Sequence, residues 1–331
     1  MYNDTLVKDK KIQKLIRPAG VEDCGQGIAG EKVTGKELKG KYYACIIAAG
    51  SMWGCIGIFI RHLGGYGFSS LALTALRAMG AALILTIYML AKHREKLRIK
   101  LRDSWCFAGT GILSLTFFNI CYFTTIRRTS LAVASVLLYT APMFVMLLSL
   151  FLFHETMTWR KGAALLMAFA GCVLVTGIGR GDMSLSLSAV LTGLGAGLGY
   201  GLYSIFGIYG LRRYDSMTVT VYTFLFATIG TAWFVDYGLL VEVVAAHPLV
   251  AVELLAFGFF TNVLPYLLYT KGLSGMEAGK ASITASVEPV VASLVGIFCF
   301  GESVRISVIA GVLMVLGALV VLNVKSEKVE I

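Results

Sequence analysis

Ten apolar runs of 17 to 24 residues decide what this 331-residue chain can fold into. They cover residues 42–60, 68–91, 105–126, 131–153, 162–178, 188–209, 217–235, 254–270, 281–300 and 306–324. Each falls in the length range of a membrane-crossing helix, about 17–25 residues. A strand crossing the same bilayer needs only about 10 residues and alternates apolar with polar. These runs are longer and do not alternate. In lipid every backbone N–H and C=O must be bonded within the protein, and a helix bonds them within its own segment. Composition agrees: 57% of residues are hydrophobic and 15% charged, against about 25% charged in soluble domains. A water-soluble globule and a disordered chain are both excluded. The expected fold class is an all-α polytopic membrane protein with ten transmembrane helices.

The formal net charge of +10 is a topology signal rather than a nucleic-acid footprint, because of where Lys and Arg fall. With the N-terminus in the cytosol, the connections on that side carry 22 of the 29 Lys and Arg, and those on the other side carry five. Positive residues accumulate in cytoplasmic loops, so both termini are expected in the cytosol, with the protein in the cytoplasmic membrane. Residues 1–41 are polar and mixed in charge, with no short apolar core before a cleavage site. They read as a disordered cytosolic tail, and residues 325–331 as a second cytosolic tail. Seven cysteines without a CxxC pair and four scattered histidines point to neither a disulfide framework nor a metal centre. No cofactor is expected. The expected partners are a small-molecule substrate and the lipid bilayer, without nucleic acid; a homodimer stays open.

Comparison of the chain with itself at an offset of 147 residues aligns Gly50 with Gly197, Gly54 with Gly201 and Phe59 with Phe206. Further on it aligns Tyr122 with Tyr269, Ser135 with Ser282, Pro142 with Pro289 and Glu155 with Glu302. Coincidences among Gly, Ala and Leu are common in apolar helices. The Pro and Glu pairs are not, since the chain has five prolines. A constant offset over five helices implies duplication, with repeats at 42–178 and 188–324. Five is odd, so the second repeat crosses the membrane in the opposite sense. Inverted repeats are the architecture of alternating-access transporters, which bind substrate near mid-membrane between the halves.

The residues also resemble a known family. Trp53-Gly54, Arg77, the Ala141-Pro142 step, Glu155, Glu288-Pro289-Val290 and Gly301-Glu302 make residues 42–324 similar to the EamA family of the drug/metabolite transporter superfamily. The resemblance implies ten helices in two EamA repeats, no enzymatic activity, and most often export of amino acids or related metabolites from the cytosol.

Arg77 and Glu288 are the two strongly charged residues well inside the spans. Charges at that depth are costly and belong in a protein or water environment. Arg77 suits a substrate carboxylate, or a structural bond to backbone carbonyls or to a fixed acidic partner. Glu288 precedes Pro289, which is expected to kink the helix by removing one hydrogen bond. The carboxylate there suits proton coupling or an ammonium group, or else marks the kink alone. Trp53 and Tyr200 are equivalent under the offset, and Tyr139 and Tyr203 lie at similar depth. Aromatics with a polar tip suit the wall of a wet cavity for amphipathic solutes. Asn119 and Tyr122 share a helix face, as do Tyr266 and Tyr269, three residues apart in each case. Pro265 is expected to bend the eighth helix. The glycines of the first and sixth helices suit close helix packing. Glu155 and Glu302 end their spans next to the following helix and read as its caps.

Two rivals carry less. The strings Gly179-Arg180-Gly181-Asp182 and Tyr214-Asp215 superficially match an intramembrane aspartyl protease. Both aspartates fall in connections, on opposite sides, whereas a dyad needs them together. A non-transporting sensor lacks a soluble domain through which to signal.

Overall fold

Short polar residues at the starts of the apolar runs nucleate the helices. Ser69 accepts from the Ala72 N–H (3.1 Å), Ser186 from Ala189 N–H (3.3 Å) and Asp215 from Thr218 N–H (2.8 Å). Each bond satisfies one of the donors a helix start leaves unpaired. The computed structural model describes residues 35–129, 131–176, 186–301 and 305–323, and every regular element among them is helical. The helices are α1 (Gly40–Gly64), α2 (Ser70–Lys92), α3 (Leu101–Arg128) and α4 (Val133–Phe153). Then come α5 (Trp159–Thr176), α6 (Leu187–Leu211), α7 (Ser216–Phe234), α8 (Leu249–Leu273), α9 (Ala278–Phe300) and α10 (Ile306–Asn323). Within the described residues, eight of the ten are long and apolar enough to cross a membrane on their own. The other two, α5 and α10, pack side by side along their length. A Cβ on Gly171 would lie 2.8 Å from the Gly311 carbonyl, and one on Gly311 2.6 Å from the Gly171 carbonyl. The 147-residue offset maps this crossing on to Ala318 and Ala164, which are both buried in the same cluster.

One segment departs from the ten-run reading. The 236–248 connection contains a short helix, Tyr237–Ala246, capped by Asp236 through the Leu239 N–H (3.1 Å). Ten residues cannot cross a bilayer. It folds because Leu239, Leu240 and Val243 cover Leu63, Phe68 and Leu73 at that end of the bundle.

The helices form two equivalent lobes, each of which draws on both halves of the chain. Helix α1 packs against α8 and α9, and α6 packs against α3 and α4. Both α4 and α9 are discontinuous at matching positions: α4 turns at Tyr139 and Thr140, and α9 at Ser286 and Val287. Pro142 and Pro289 lie in the first turn of the half-helices that follow. The Glu288-Pro289 element is therefore a break that starts a new half-helix, rather than the kink within a continuous helix expected from the sequence. Proline is at home in a first turn, where its missing N–H is not needed. Helices α3 and α8 share a second irregularity, a π-helical stretch at Gly109–Thr116 and at Phe259–Val263. Pro265 lies two residues beyond the latter, but the equivalent stretch in α3 has no proline. Proline alone is thus not the cause of the expected bend.

Glycine brings α1 and α6 on to these breaks. A Cβ on Gly54 would lie 2.7 Å from the Glu288 carbonyl and 2.9 Å from the Ala292 nitrogen. A Cβ on Gly197 would lie 2.4 Å from Thr140 Oγ1 and 2.8 Å from the Leu137 carbonyl. Backbone cannot yield as a flexible side chain does, so Gly54→Ala is expected to cost about 1–3 kcal/mol, the usual range for overpacking. Gly57→Ala, where nothing lies within 4 Å of the added carbon, is expected to leave stability unchanged or raised. Thermal unfolding of the two purified variants checks this; equal melting temperatures would refute the close-approach account.

Candidate functional site

The lobes meet on a cluster of rings. Trp53 of α1 faces Tyr200 of α6 at a centroid distance of 6.1 Å, and Tyr266 and Tyr269 of α8 at 5.0 and 5.4 Å. Tyr203 of α6 meets Tyr266 at 5.1 Å and Tyr269 at 5.9 Å. Most of these pairs are edge-to-face or tilted, the arrangement ring quadrupoles favour. The five rings, with Leu115 and Ser204, line a small cavity of about 10 Å³, room for about one water. Ligand pockets commonly run from about 300 to 1,000 Å³, so this one is contracted around its own side chains. Hydroxyls tie its walls together across the lobes. Tyr203 shares a hydrogen bond with Thr270 (2.6 Å) and Ser204 with Tyr269 (2.8 Å). A larger groove of about 910 Å³ opens between α2, α7, α8 and the short helix. Its lining is aliphatic apart from two threonines, so it lacks the converging polar groups that fix a ligand's orientation.

The carboxylate of Glu288 adjoins the ring cluster. It is half-buried at the start of the second half of α9, where the partial positive charge of a helix N-terminus favours an anion. Tyr200 donates its hydroxyl to Glu288 Oε2 at 3.1 Å, again from the opposite lobe. Tyr139 at the α4 break, Tyr122 and Cys172 lie close enough to feel this charge.

Arg77 turns into the bundle. Its guanidinium lies over the ring of Phe257, 5.9 Å from the centroid, and that ring is fully buried. It stands within Coulombic reach of Glu288 and Tyr266. Among the described residues no hydrogen bond or ion pair engages it, neither the backbone carbonyls nor the fixed acidic partner that a structural role calls for.

Of the nine aromatic and polar residues singled out in the sequence, Trp53, Tyr200, Tyr203, Tyr266 and Tyr269 share the one cavity wall. Asn119, Tyr122, Tyr139 and Arg77 do not line it. Asn119 donates to the carbonyl of Leu115 one turn back (2.6 Å), which turns it along its own helix. Tyr122 meets Ser135 (3.2 Å), and Tyr139 packs towards Cys172 and Val290. Leu115 and Ser204 are wall residues that the sequence reading missed. Ser204 was findable, being next to Tyr203 on an inward-facing stretch of α6; nothing marks Leu115 among the chain's many leucines.

The acidic residues in the connections hold structure. Glu155 does not cap the following helix, α5, as its position in the sequence implies. It caps the start of α9 in the other half, accepting from the N–H groups of Ala278 (2.9 Å) and Gly279 (3.4 Å). Asp215 caps α7 and pairs with Lys96 at 2.9 Å. Burial opposes the Asp215 charge, but hydrogen bonds from Lys96 and Thr218 outweigh it and hold its carboxyl below the usual range. Glu302 and Asp182 lie outside the described residues.

Known proteins share this sequence pattern and fold. An uncharacterized transporter of Archaeoglobus fulgidus is 25% identical over 84% of this chain and 94% of its own length. The uncharacterized transporter YwfM of Bacillus subtilis is 25% identical over 86% of this chain and 95% of its own. A crystal structure of a protein superposes with a TM-score of 0.70 at 17% identity, covering 86% of this chain and 96% of that one. The sequence model of the EamA-like transporter family matches twice, at residues 40–177 and 187–324. The pair of matches takes in all ten helices, five in each half, and the chain belongs to the EamA-like transporter family.

Proposed function

We propose that this protein is a secondary active transporter that moves a small amphipathic metabolite across the cytoplasmic membrane by alternating access. Export of amino acids or related compounds is its direction and class. The observation that carries this reading is the ring cavity where the two lobes meet, with one carboxylate, Glu288, at its edge. Trp53, Tyr200, Tyr203, Tyr266 and Tyr269 hold the apolar part of the substrate. Glu288 receives its ammonium group or a coupling proton, and Arg77, without an ion pair among the described residues, takes a carboxylate. Asn119, Tyr122 and Tyr139 become wall residues when the contracted cavity widens. The protein is not an enzyme in this reading: Asp215, half of the superficial protease motif, is engaged with Lys96 at a helix end.

A thermal-shift screen of the purified protein against amino acids, amines and nucleosides tests it. A ligand at about 100 times its dissociation constant stabilises by about 2.7 kcal/mol. A hit should then be carried by the protein in liposomes, and a hit that binds without being moved refutes the transport reading.

The orientation is proposed with both termini, and the 1–41 and 325–331 tails, in the cytosol, on the strength of the Lys/Arg distribution. Single cysteines placed in 236–248, which carries no Lys or Arg, are expected to react with an impermeant reagent added outside intact cells. Cysteines in 92–104, with six, are expected to stay unlabelled. The reverse pattern overturns the orientation.

A further inference from the structure

Among the described residues, partly buried polar networks join the halves at one end of the bundle. At the Lys/Arg-rich end two networks join them. In the first, Lys96 and Asp103 in the α2–α3 segment meet Asp215, Arg213 and Tyr214 after α6. Helices α3 and α6 belong to one lobe, so this network knits that lobe without crossing the cavity. The second crosses it. Glu155 follows α4 in one lobe, and its carboxylate holds the first N–H groups of α9 in the other (2.9 and 3.4 Å). Lys161 at the start of α5 reinforces the junction. It pairs with Glu277 at 2.5 Å, lies 4.0 Å from Glu155, and donates to the Thr156 carbonyl at 2.8 Å. Lys280 pairs with Glu277 from the α9 side at 3.3 Å. The Lys161 side chain is only 5% exposed and that of Glu155 12%. The described contact between α1 and α8 at the opposite end, His62 with Glu253 at 3.2 Å, is 61% and 36% exposed.

The backbone aims Glu155 across this junction. Helix α4 ends at His154 in the left-handed conformation (φ 53°), and the Glu155 N–H returns to the Ser149 carbonyl at 3.2 Å. That is the wrapped C-terminal turn glycine usually makes. At the equivalent place in α9 the left-handed residue is Gly301 (φ 66°). A non-glycine residue there is strained, and the surrounding contacts must offset that strain.

We propose that Glu155, with Lys161 and Glu277, is a gate: the junction closes the Lys/Arg-rich end of the central cavity and must part for the cavity to open there. Glu155 is a positioning residue in this device, because it holds the half-helix that leads to Glu288. The gate rests on the reading of the cavity as a transport site, but its parting is measurable without any substrate. Closing contacts that bridge the lobes define one face of an alternating-access cycle, and losing one shifts the population towards the open side by its differential free energy.

The test places one reporter cysteine, Ser204→Cys, in the cavity wall of full-length protein whose native cysteines have been replaced. Vesicles oriented with the Lys/Arg-rich end outward are treated with an impermeant thiol reagent. Labelling of the reporter is expected to be slow with Glu155 present. It should accelerate about tenfold or more in Glu155→Ala, the value of one charge-assisted hydrogen bond. Glu155→Gln keeps an oxygen for the Ala278 N–H but drops the charge, so it should fall between. His62→Ala, at the far end, should leave the rate from this side unchanged. An unchanged rate in folded Glu155→Ala overturns the gate. If that variant does not fold, an unchanged rate in Glu155→Gln overturns it, as does equal acceleration by His62→Ala. Accelerated labelling in a protein that moves no metabolite would instead retire the transport reading and keep the junction as a conformational latch.

Discussion

Glu288→Gln is expected to flatten the pH dependence of transport while the protein still folds and reaches the membrane. The glutamine keeps the size of the side chain and an oxygen to accept the Tyr200 hydroxyl. It removes the charge, and a neutral amide costs less to bury than a carboxylate, so stability should be unchanged or raised. Function should change far more. A hydrogen bond to a charged group is worth about 1.5–3 kcal/mol, or about 10- to 150-fold in affinity or rate. If the carboxylate exchanges the coupling proton, uphill accumulation driven by a pH gradient should vanish, leaving at most downhill exchange. Tyr200→Phe separates the roles: it removes the 3.1 Å hydrogen bond but leaves the carboxylate, so it should move the pH profile without flattening it. Flux of Glu288→Gln measured in liposomes across pH 5.5–8.5, about three units around neutrality, decides the matter. An unaltered profile would leave Glu288 as the start of a half-helix and nothing more.

That experiment bears on how much of the molecule was legible beforehand. The ten runs were, because crossing lipid forces each helix to be long, apolar and internally bonded. The pairing of breaks was partly legible: Pro142 and Pro289 stand at the same offset as the glycines that pack against them. The π-helical stretches of α3 and α8 were not. They widen one turn without disturbing the apolar composition, and Pro265 offered a local explanation that fits only one of the two. Trp53 and Tyr200 could be found through symmetry, since each is the other's counterpart. Arg77 was found by its charge, but its place over Phe257 depends on a ring 180 residues further along the chain. Glu155 was misassigned for the same reason. In sequence its neighbour is α5; in space its partners are N–H groups 123 and 124 residues away. A carboxylate announces that it will cap a helix, not which one.

Trp53→Ala is expected to weaken substrate binding by about 30-fold or more, the loss of about 2 kcal/mol that marks a buried aromatic anchor. Trp53 touches three of the cavity's other rings and is 7% exposed, so the competing account is simple packing. The two differ in what else moves. Replacing an aromatic residue in a closed core by alanine costs about 3–5 kcal/mol, chiefly through the void left behind. Trp53 already borders a small cavity, and its removal enlarges a space that a substrate or water must be able to fill. The stability loss should therefore fall below that range. Phe107→Ala supplies the comparison: the ring is fully buried and stacks on Tyr222 at 5.1 Å, away from the cavity wall. It should lose the full packing energy and leave ligand affinity intact. Thermal unfolding of both variants, alone and with the ligand identified in the screen, gives the four numbers needed. If Trp53→Ala proves the less stable of the two yet binds normally, the ring cluster is a core, and the substrate passes elsewhere.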